Sequence, residues 1–277
     1  MLRHSHRFAA DSVIGQWAGA VNAGQSQAVA DLWATTGRWQ PGSTASVTRL
    51  QPGTSADAAL SELARAGWRD WHQALQGVCA SGQCSDAQAL QLLQSFGQFQ
   101  LLCALHDGPW GVLALNGLLA RALGLALQGW YAGRPVMVTR NDYNLDLMNG
   151  DVGLCLPTAG GLRVAFAQTA QDGAASVRWL LPSRLDAVQT VFAMTVHKAQ
   201  GSEFEHVALV LPDKITPVLT RELLYTGITR AKMQLTLVVP QAGVLRQAVA
   251  QKTLRSGGLG SLSLPQTPSD ASHGGSC

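Results

Sequence analysis

The densest gathering of reactive side-chain types lies at 195–204, where the sequence reads TVHKAQGSEF. Thr195, His197, Lys198, Gln200 and Glu203 place a hydroxyl, an imidazole, an ammonium, an amide and a carboxylate close together, and Gly201 allows a sharp turn or a close approach to a ligand. The run just before it, 191–196, is short and apolar and predicts a buried strand. Polar residues at the carboxyl end of a strand in an α/β sheet occupy the edge where ligands usually bind. A second stretch, RELLYTGITRAK at 221–232, predicts a helix over 220–232. Helical spacing places Tyr225 and Thr229 on one face, with Arg230 beside them near the carboxyl end. An arginine in that place commonly just complements the helix dipole. The alternative is a guanidinium whose planar fork reaches a transferring phosphoryl group. Polar surface loops are common, so each residue alone has an ordinary explanation; the set together is harder to dismiss.

The elements that must position these residues follow from periodicity. Asp11 or Ser12 can cap a helix that turns Ile14, Trp17, Ala18 and Val21 to one side. Ser55 can cap a second, with Leu60, Leu63, Ala64, Trp71 and Leu75 as its apolar face, and Ser85 a third through Leu90 and Leu93. The apolar run at 99–105 ends at HDGP and predicts a buried strand, followed by a helix over 111–127. From Gly133 the texture changes to short strands at 135–139, 152–156, 162–167 and 176–181. Asn149-Gly150-Asp151 is a type I′ hairpin signal and Gly160-Gly161 supplies another turn. Strands at 191–196, 206–211 and 234–239 then alternate with the 220–232 helix as α/β units.

Composition narrows the class. Charged residues are 13% of the 277, about half the usual share, which suggests that part of the surface meets a partner. Net charge is +3, which permits nucleic-acid contact without demonstrating it. The five cysteines, Cys79, Cys84, Cys103, Cys155 and Cys277, show no C-x-x-C spacing and are expected as buried free thiols in a reducing cytoplasm. No apolar h-region follows the opening MLRHSHR, and no run reaches the roughly 20 residues that span a bilayer, so a cytoplasmic protein without a membrane segment is expected.

In this order and separation the two reactive stretches resemble motifs V and VI of superfamily-one helicases. The resemblance is nearest to the RecD family, the alpha subunit of the RecBCD enzyme (exodeoxyribonuclease V). SHRF at 5–8 looks like that family's motif IV, and QLLCAL at 100–105, GRPVMVTRND at 133–142, NGD at 149–151 and REL at 221–223 are similar to RecD segments. The likeness covers nearly all of 4–240. It implies an α/β fold: a second RecA-like domain of P-loop NTPase type, lacking its own P-loop, with an inserted small SH3-like β-barrel and a helical N-terminal portion. The corresponding division is 1–132 for the start of the RecA-like domain with its helical region, 133–184 for the barrel, 185–252 for the remainder with motifs V and VI, and 253–277 for a Gly/Ser/Pro-rich disordered tail.

By motif position, the resemblance implies that Arg7 and Arg230 contact the γ-phosphate of ATP across an interdomain cleft. Gln200, Gly201 and Glu203 would lie beside the nucleotide, and Thr195 and His197 would couple it to single-stranded DNA. Trp130, Tyr131 and Trp179 are candidates for base stacking. The implied activity is ATP-dependent 5′→3′ DNA helicase or translocase work in double-strand break repair and recombination, with RecB- and RecC-like partners. These 277 residues hold no G-x-x-x-x-G-K-[ST]: the residues before Lys198, Lys214, Lys232 and Lys252 are His197, Asp213, Ala231 and Gln251. No two acidic residues are adjacent, so the paired-carboxylate Mg²⁺ motif is absent as well. ATP and Mg²⁺ are therefore expected only if a P-loop domain is supplied from outside this chain, and no ATP hydrolysis is expected of the chain alone. The other readings are a non-catalytic module that binds DNA or RecBC-like subunits, and a truncated relic.

Overall fold

The computed structural model describes residues 12–169 and 173–252. Two five-stranded sheets organise them. The first is wholly parallel, in the order β1-β10-β9-β2-β8. Its strands are β1 (Val47–Leu50), β2 (Phe99–Cys103), β8 (Ala193–Thr195), β9 (Phe204–Val210) and β10 (Ala231–Val238). Every residue of β2 is buried, as expected of a central parallel strand covered on both faces. Leu102 and Leu209 point to one side and Leu101, Cys103, Ala208 and Val210 to the other. Gln100 is the polar exception within β2; its amide nitrogen donates to the carbonyls of Phe192 (2.9 Å) and Leu101 (3.3 Å).

Helices α1 (Val13–Ala23), α2 (Ser26–Thr35), α7 (Arg221–Ile228) and α8 (Ala242–Ala250) cover the first side. Ser12 caps α1 through the amide of Gly15, and Ile14, Trp17, Ala18 and Val21 are buried as their spacing predicts. The opposite side carries α3 (Ala58–Gly67), α4 (Arg69–Ser81), α5 (Asp86–Phe96) and α6 (Val112–Ala122). Ser85 opens α5 in a capping box with Gln88, as anticipated from its type. The single helix expected after Ser55 is in fact two. Asp57 is the cap, accepting from the Ala59 amide, and the chain breaks at Trp68 (φ −105°, ψ 22°). Trp68 thereby seats its indole among Phe96, Phe99 and Phe192 and donates Nε1 to the Phe96 carbonyl at 3.3 Å. The helix expected over 111–127 stops at Ala122, short of Gly124 at φ 68°.

The second sheet is antiparallel and lies between α6 and β8 in the chain. Its order is β6-β5-β4-β3-β7, from β3 (Pro135–Val138), β4 (Val152–Thr158), β5 (Gly161–Thr169), β6 (Ala175–Leu180) and β7 (Val188–Thr190). One face closes over Val136, Val138, Cys155, Val164, Phe166 and Leu180. The other turns Leu154, Leu156 and Ala165 into the α3–α6 core. Trp179 fastens that junction by donating its indole N–H to Asp86 at 2.7 Å, so its place is a strut between β6 and α5. Trp130 lies under the Arg134 guanidinium, 4.6 Å from its ring centre. Asn149-Gly150 forms a turn but no type I′ hairpin, because Asn149 keeps a negative φ and a thirteen-residue excursion, 139–151, separates β3 from β4.

Among the described cysteines, all four are free; Cys103 and Cys155 are buried, whereas Cys84 is half-buried and Cys79 exposed, contrary to the expectation of burial throughout. Cys277 and the 253–277 tail lie outside the described residues. No helix among the described residues is long and apolar enough to cross a membrane.

Candidate functional site

The reactive stretch is a crossover. Strand β2 lies between β8 and β9, so residues 196–203 must pass over β2 from the carboxyl end of one strand to the amino end of the next. Thr195 is level with Cys103 and Val210, whereas β9 begins six residues earlier, at Phe204. At a strand rise of ~3.3 Å per residue, the two ends of the crossover stand about 20 Å apart along the strand direction. The expectation that the whole cluster occupies the carboxyl edge is thus corrected: Thr195 is there, while Ser202 and Glu203 are at the opposite edge.

Short-range bonds shape the crossover. The Thr195 hydroxyl accepts from the Lys198 amide at 3.3 Å and the Thr195 carbonyl from Ala199 at 3.2 Å. Gln200 donates to the His197 carbonyl at 3.2 Å and Ser202 to Ala199 at 3.1 Å. Gly201 then turns the chain at φ 92°, a value that a side chain would strain. Ala199 is fully buried beneath, and His197, Lys198 and Gln200 project outward. Lys198 Nζ reaches Asn149 Oδ1 of the inserted sheet's turn at 3.3 Å, a link that no local signal in either segment foretold.

Helix α7 lies alongside. Thr220 caps it through the Leu223 amide, and Gly227 lets it close on β9, since a Cβ there would stand 2.7 Å from Leu209 Cδ1. The helix ends at Ile228 rather than at residue 232. The Thr229 hydroxyl and Arg230 Nε both donate to the Thr226 carbonyl, at 3.1 Å each, and Ala231 already belongs to β10. Arg230 is 8% exposed. Its Nη1 donates to the Ser202 carbonyl at 3.1 Å and Nη2 to Thr229 Oγ1 at 3.3 Å, while its own carbonyl accepts from Phe204 at 2.9 Å. Arg230 therefore rivets the end of the crossover to the end of α7.

Between the crossover and α7 opens a cleft of about 400 Å³ walled by Val196, His197 and Gln200 on one side and Thr220, Glu222 and Thr226 on the other, with Pro217 and Val218 at its end. The site residues thus fall into three groups: His197 and Gln200 in this cleft, Thr195 at the carboxyl edge, and Gly201, Glu203 and Arg230 toward the amino edge. Arg7 and the SHRF segment lie outside the described residues. Burial pushes the Cys103 thiol up to about 12 and Cys155 to about 11, so neither is a ready nucleophile. Among the described residues no three His, Cys, Asp or Glu cluster closely enough to hold a metal ion.

Residues 190–238, which include the crossover, α7 and β10, match the family of UvrD-like helicase C-terminal domains. The RecBCD enzyme subunit RecD of Mycobacterium tuberculosis is 37% identical over 263 residues, covering 93% of this chain and 41% of that protein. The chain is a relative of RecD. RecD of Haemophilus influenzae is 41% identical over 185 residues, 64% of this chain and 27% of that protein. An ATP-dependent RecD2 DNA helicase of Deinococcus radiodurans is 37% identical over 144 residues, 49% of this chain and 19% of that protein. The RecD-like chain thus spans at most about two fifths of the length of these relatives.

Proposed function

We propose that this chain supplies the second RecA-like domain of an ATP-dependent 5′→3′ DNA helicase or translocase, a RecD-type subunit acting in double-strand break repair and recombination. Its division is 1–132 and 185–252 for that domain and 133–184 for an SH3-like insertion. A P-loop domain from outside these residues would bind ATP and Mg²⁺. Arg230, with Arg7, would face the γ-phosphate, and Gln200, Gly201 and Glu203 would lie beside the nucleotide. Thr195 and His197 would carry the resulting movement to single-stranded DNA. RecB- and RecC-like subunits would complete the assembly. The observation that carries this reading is the Arg230 rivet: its guanidinium donates to the Ser202 carbonyl, so that a pull on the end of α7 is a pull on the crossover. A fixed arginine of this kind is worth ~10³–10⁵ in rate in P-loop enzymes.

The test is reassembly. The full chain alone should show no DNA-stimulated ATPase. Mixed with a separately produced P-loop domain from a RecD relative, it should gain ATPase activity that Arg230→Ala abolishes. A verified, folded complex that stays inactive would count against the motor. One observation favours a second reading, a non-catalytic module that docks on DNA or RecBC-like subunits. Nε, Nη1 and Nη2 of Arg230 each donate to an oxygen of its own domain, in Thr226, Ser202 and Thr229, as a structural arginine does. Restored turnover indifferent to Arg230→Lys would support that reading.

A further inference from the structure

The carboxyl edge of the parallel sheet has a second feature, at the far end from Thr195. One register row runs Thr195, Cys103, Val210, Val238, Leu50 across all five strands. Four gaps of ~4.8 Å place the ends of that row about 19 Å apart. Where the row ends on β1, a cleft of about 450 Å³ opens, walled by Arg38, Trp39, Arg49, Gln51, Gly53 and Pro240 among others. Arg38 and Arg49 are bridge partners on adjacent parallel segments, fixed by Arg49 N–H to Gly37 at 2.9 Å and Trp39 N–H to Arg49 at 2.7 Å.

Among the described residues no carboxylate lines this cleft. Asp57, four residues from Gly53 in the sequence, is turned to the amides of Gly53 and Ala59 at 3.2 and 3.0 Å. A cleft lined by two guanidinium-bearing residues favours an anion. The Arg49 guanidinium is held 5.3 Å from the ring centre of Trp33, and its Nε is buried without a hydrogen-bond partner among the described residues. Trp39 and Pro240 set flat apolar surface beside these cations. Basic grooves interleaved with aromatic rings are how single strands are gripped without sequence preference.

We propose that the Arg38–Arg49 cleft seats a backbone phosphate of single-stranded nucleic acid, laid along the carboxyl edge from Thr195 to β1. This rests on the strand-handling reading above. The test is binding of a labelled oligothymidylate to the full chain, followed by fluorescence anisotropy across a salt series. Arg38→Ala and Arg49→Lys should each weaken binding by about fivefold, and Arg38→Ala should reduce the salt slope by about 0.7, one phosphate's worth. Arg69→Ala, an exposed charge at the start of α4, should change neither. Arg38 is exposed and Arg49→Lys keeps a cation near Trp33, so both variants should retain the melting temperature of the parent. Inorganic phosphate or ATP that displaces only the Arg38-dependent part of the binding would mark the cleft as a free-anion site and overturn the proposal. Strand binding that both arginine variants leave intact while His197→Ala weakens it would overturn this seat and leave the proposed function standing. Failure of the parent chain to bind the strand would overturn both.

Discussion

The two ends of the crossover between β8 and β9 are built on opposite plans. At the cleft end His197 and Gln200 stand exposed, held by backbone turns alone, and their side chains are spare for a ligand. At the other end Arg230 is sunk among oxygens of Ser202, Thr226 and Thr229, and Phe204 begins a buried strand. The difference teaches that residue type does not separate chemistry from architecture. A histidine on a polar loop and an arginine at a helix end both read as candidates, yet only the first is unencumbered enough to be changed without disturbing the fold.

That contrast can be broken from its buried end. Arg230→Ala removes three donors, and although the Thr226 carbonyl keeps the Thr229 hydroxyl, the loss at Ser202 and Thr229 should cost about 3 kcal/mol in a denaturant titration. A loss under about 1 kcal/mol would show the rivet to be dispensable. Acid should strike the same end next. His206, two residues into β9, holds Thr236 of β10 at 2.8 Å, and burial pushes its imidazole down to about 4. The folded form holds this ring neutral, so the unfolded chain takes up a proton first. Stability is whole above the ordinary histidine range near 6.5 and declines as pH falls toward 4, by about 3 kcal/mol. His206→Gln should flatten that part of the pH–stability curve; an unchanged slope would assign it to other groups.

Smaller effects should appear where the crossover meets the inserted sheet. Lys198→Ala severs the exposed contact to Asn149 and should cost about 0.5 kcal/mol, with Asn149→Ala adding nothing further in the double variant. At the cleft end, His197→Ala should alter stability by less than about 0.5 kcal/mol while lowering the DNA stimulation of ATPase in the reassembled pair. A comparable loss of stability at His197 and Arg230 would erase the distinction between the two ends.

Much of the architecture was legible because it rests on local rules. The Ser12 and Ser85 caps, the apolar β2 and the alternating strands of the insertion all declare themselves in a few residues. What escaped lacked such markers. Helices α2 and α8 follow Gln25 and Gln241 at their cap positions, neither of which caps with its side chain. Strand β1 carries Thr48 and Arg49 in four residues, and Thr48 is buried only because its hydroxyl meets that of Thr236 at 2.9 Å, 188 residues away. The membership of the reactive cluster was likewise legible and its layout was not. That residues 195 and 203 fall on opposite edges depends on β2 lying between β8 and β9, a fact of sheet order that no local pattern records.

The strand order has one more consequence. The segment before the inserted sheet contributes β1 and β2, and the segment after it contributes β8, β9 and β10, yet the two sets interleave in space, with β9 and β10 between β1 and β2. A backbone nick within the insertion would therefore yield two fragments laced together like the fingers of two hands. They meet at three seams, β1 with β10, β9 with β2, and β2 with β8. Neither fragment has by itself the neighbours its strands need, so co-expressed halves should survive as a pair and separately expressed ones should not accumulate.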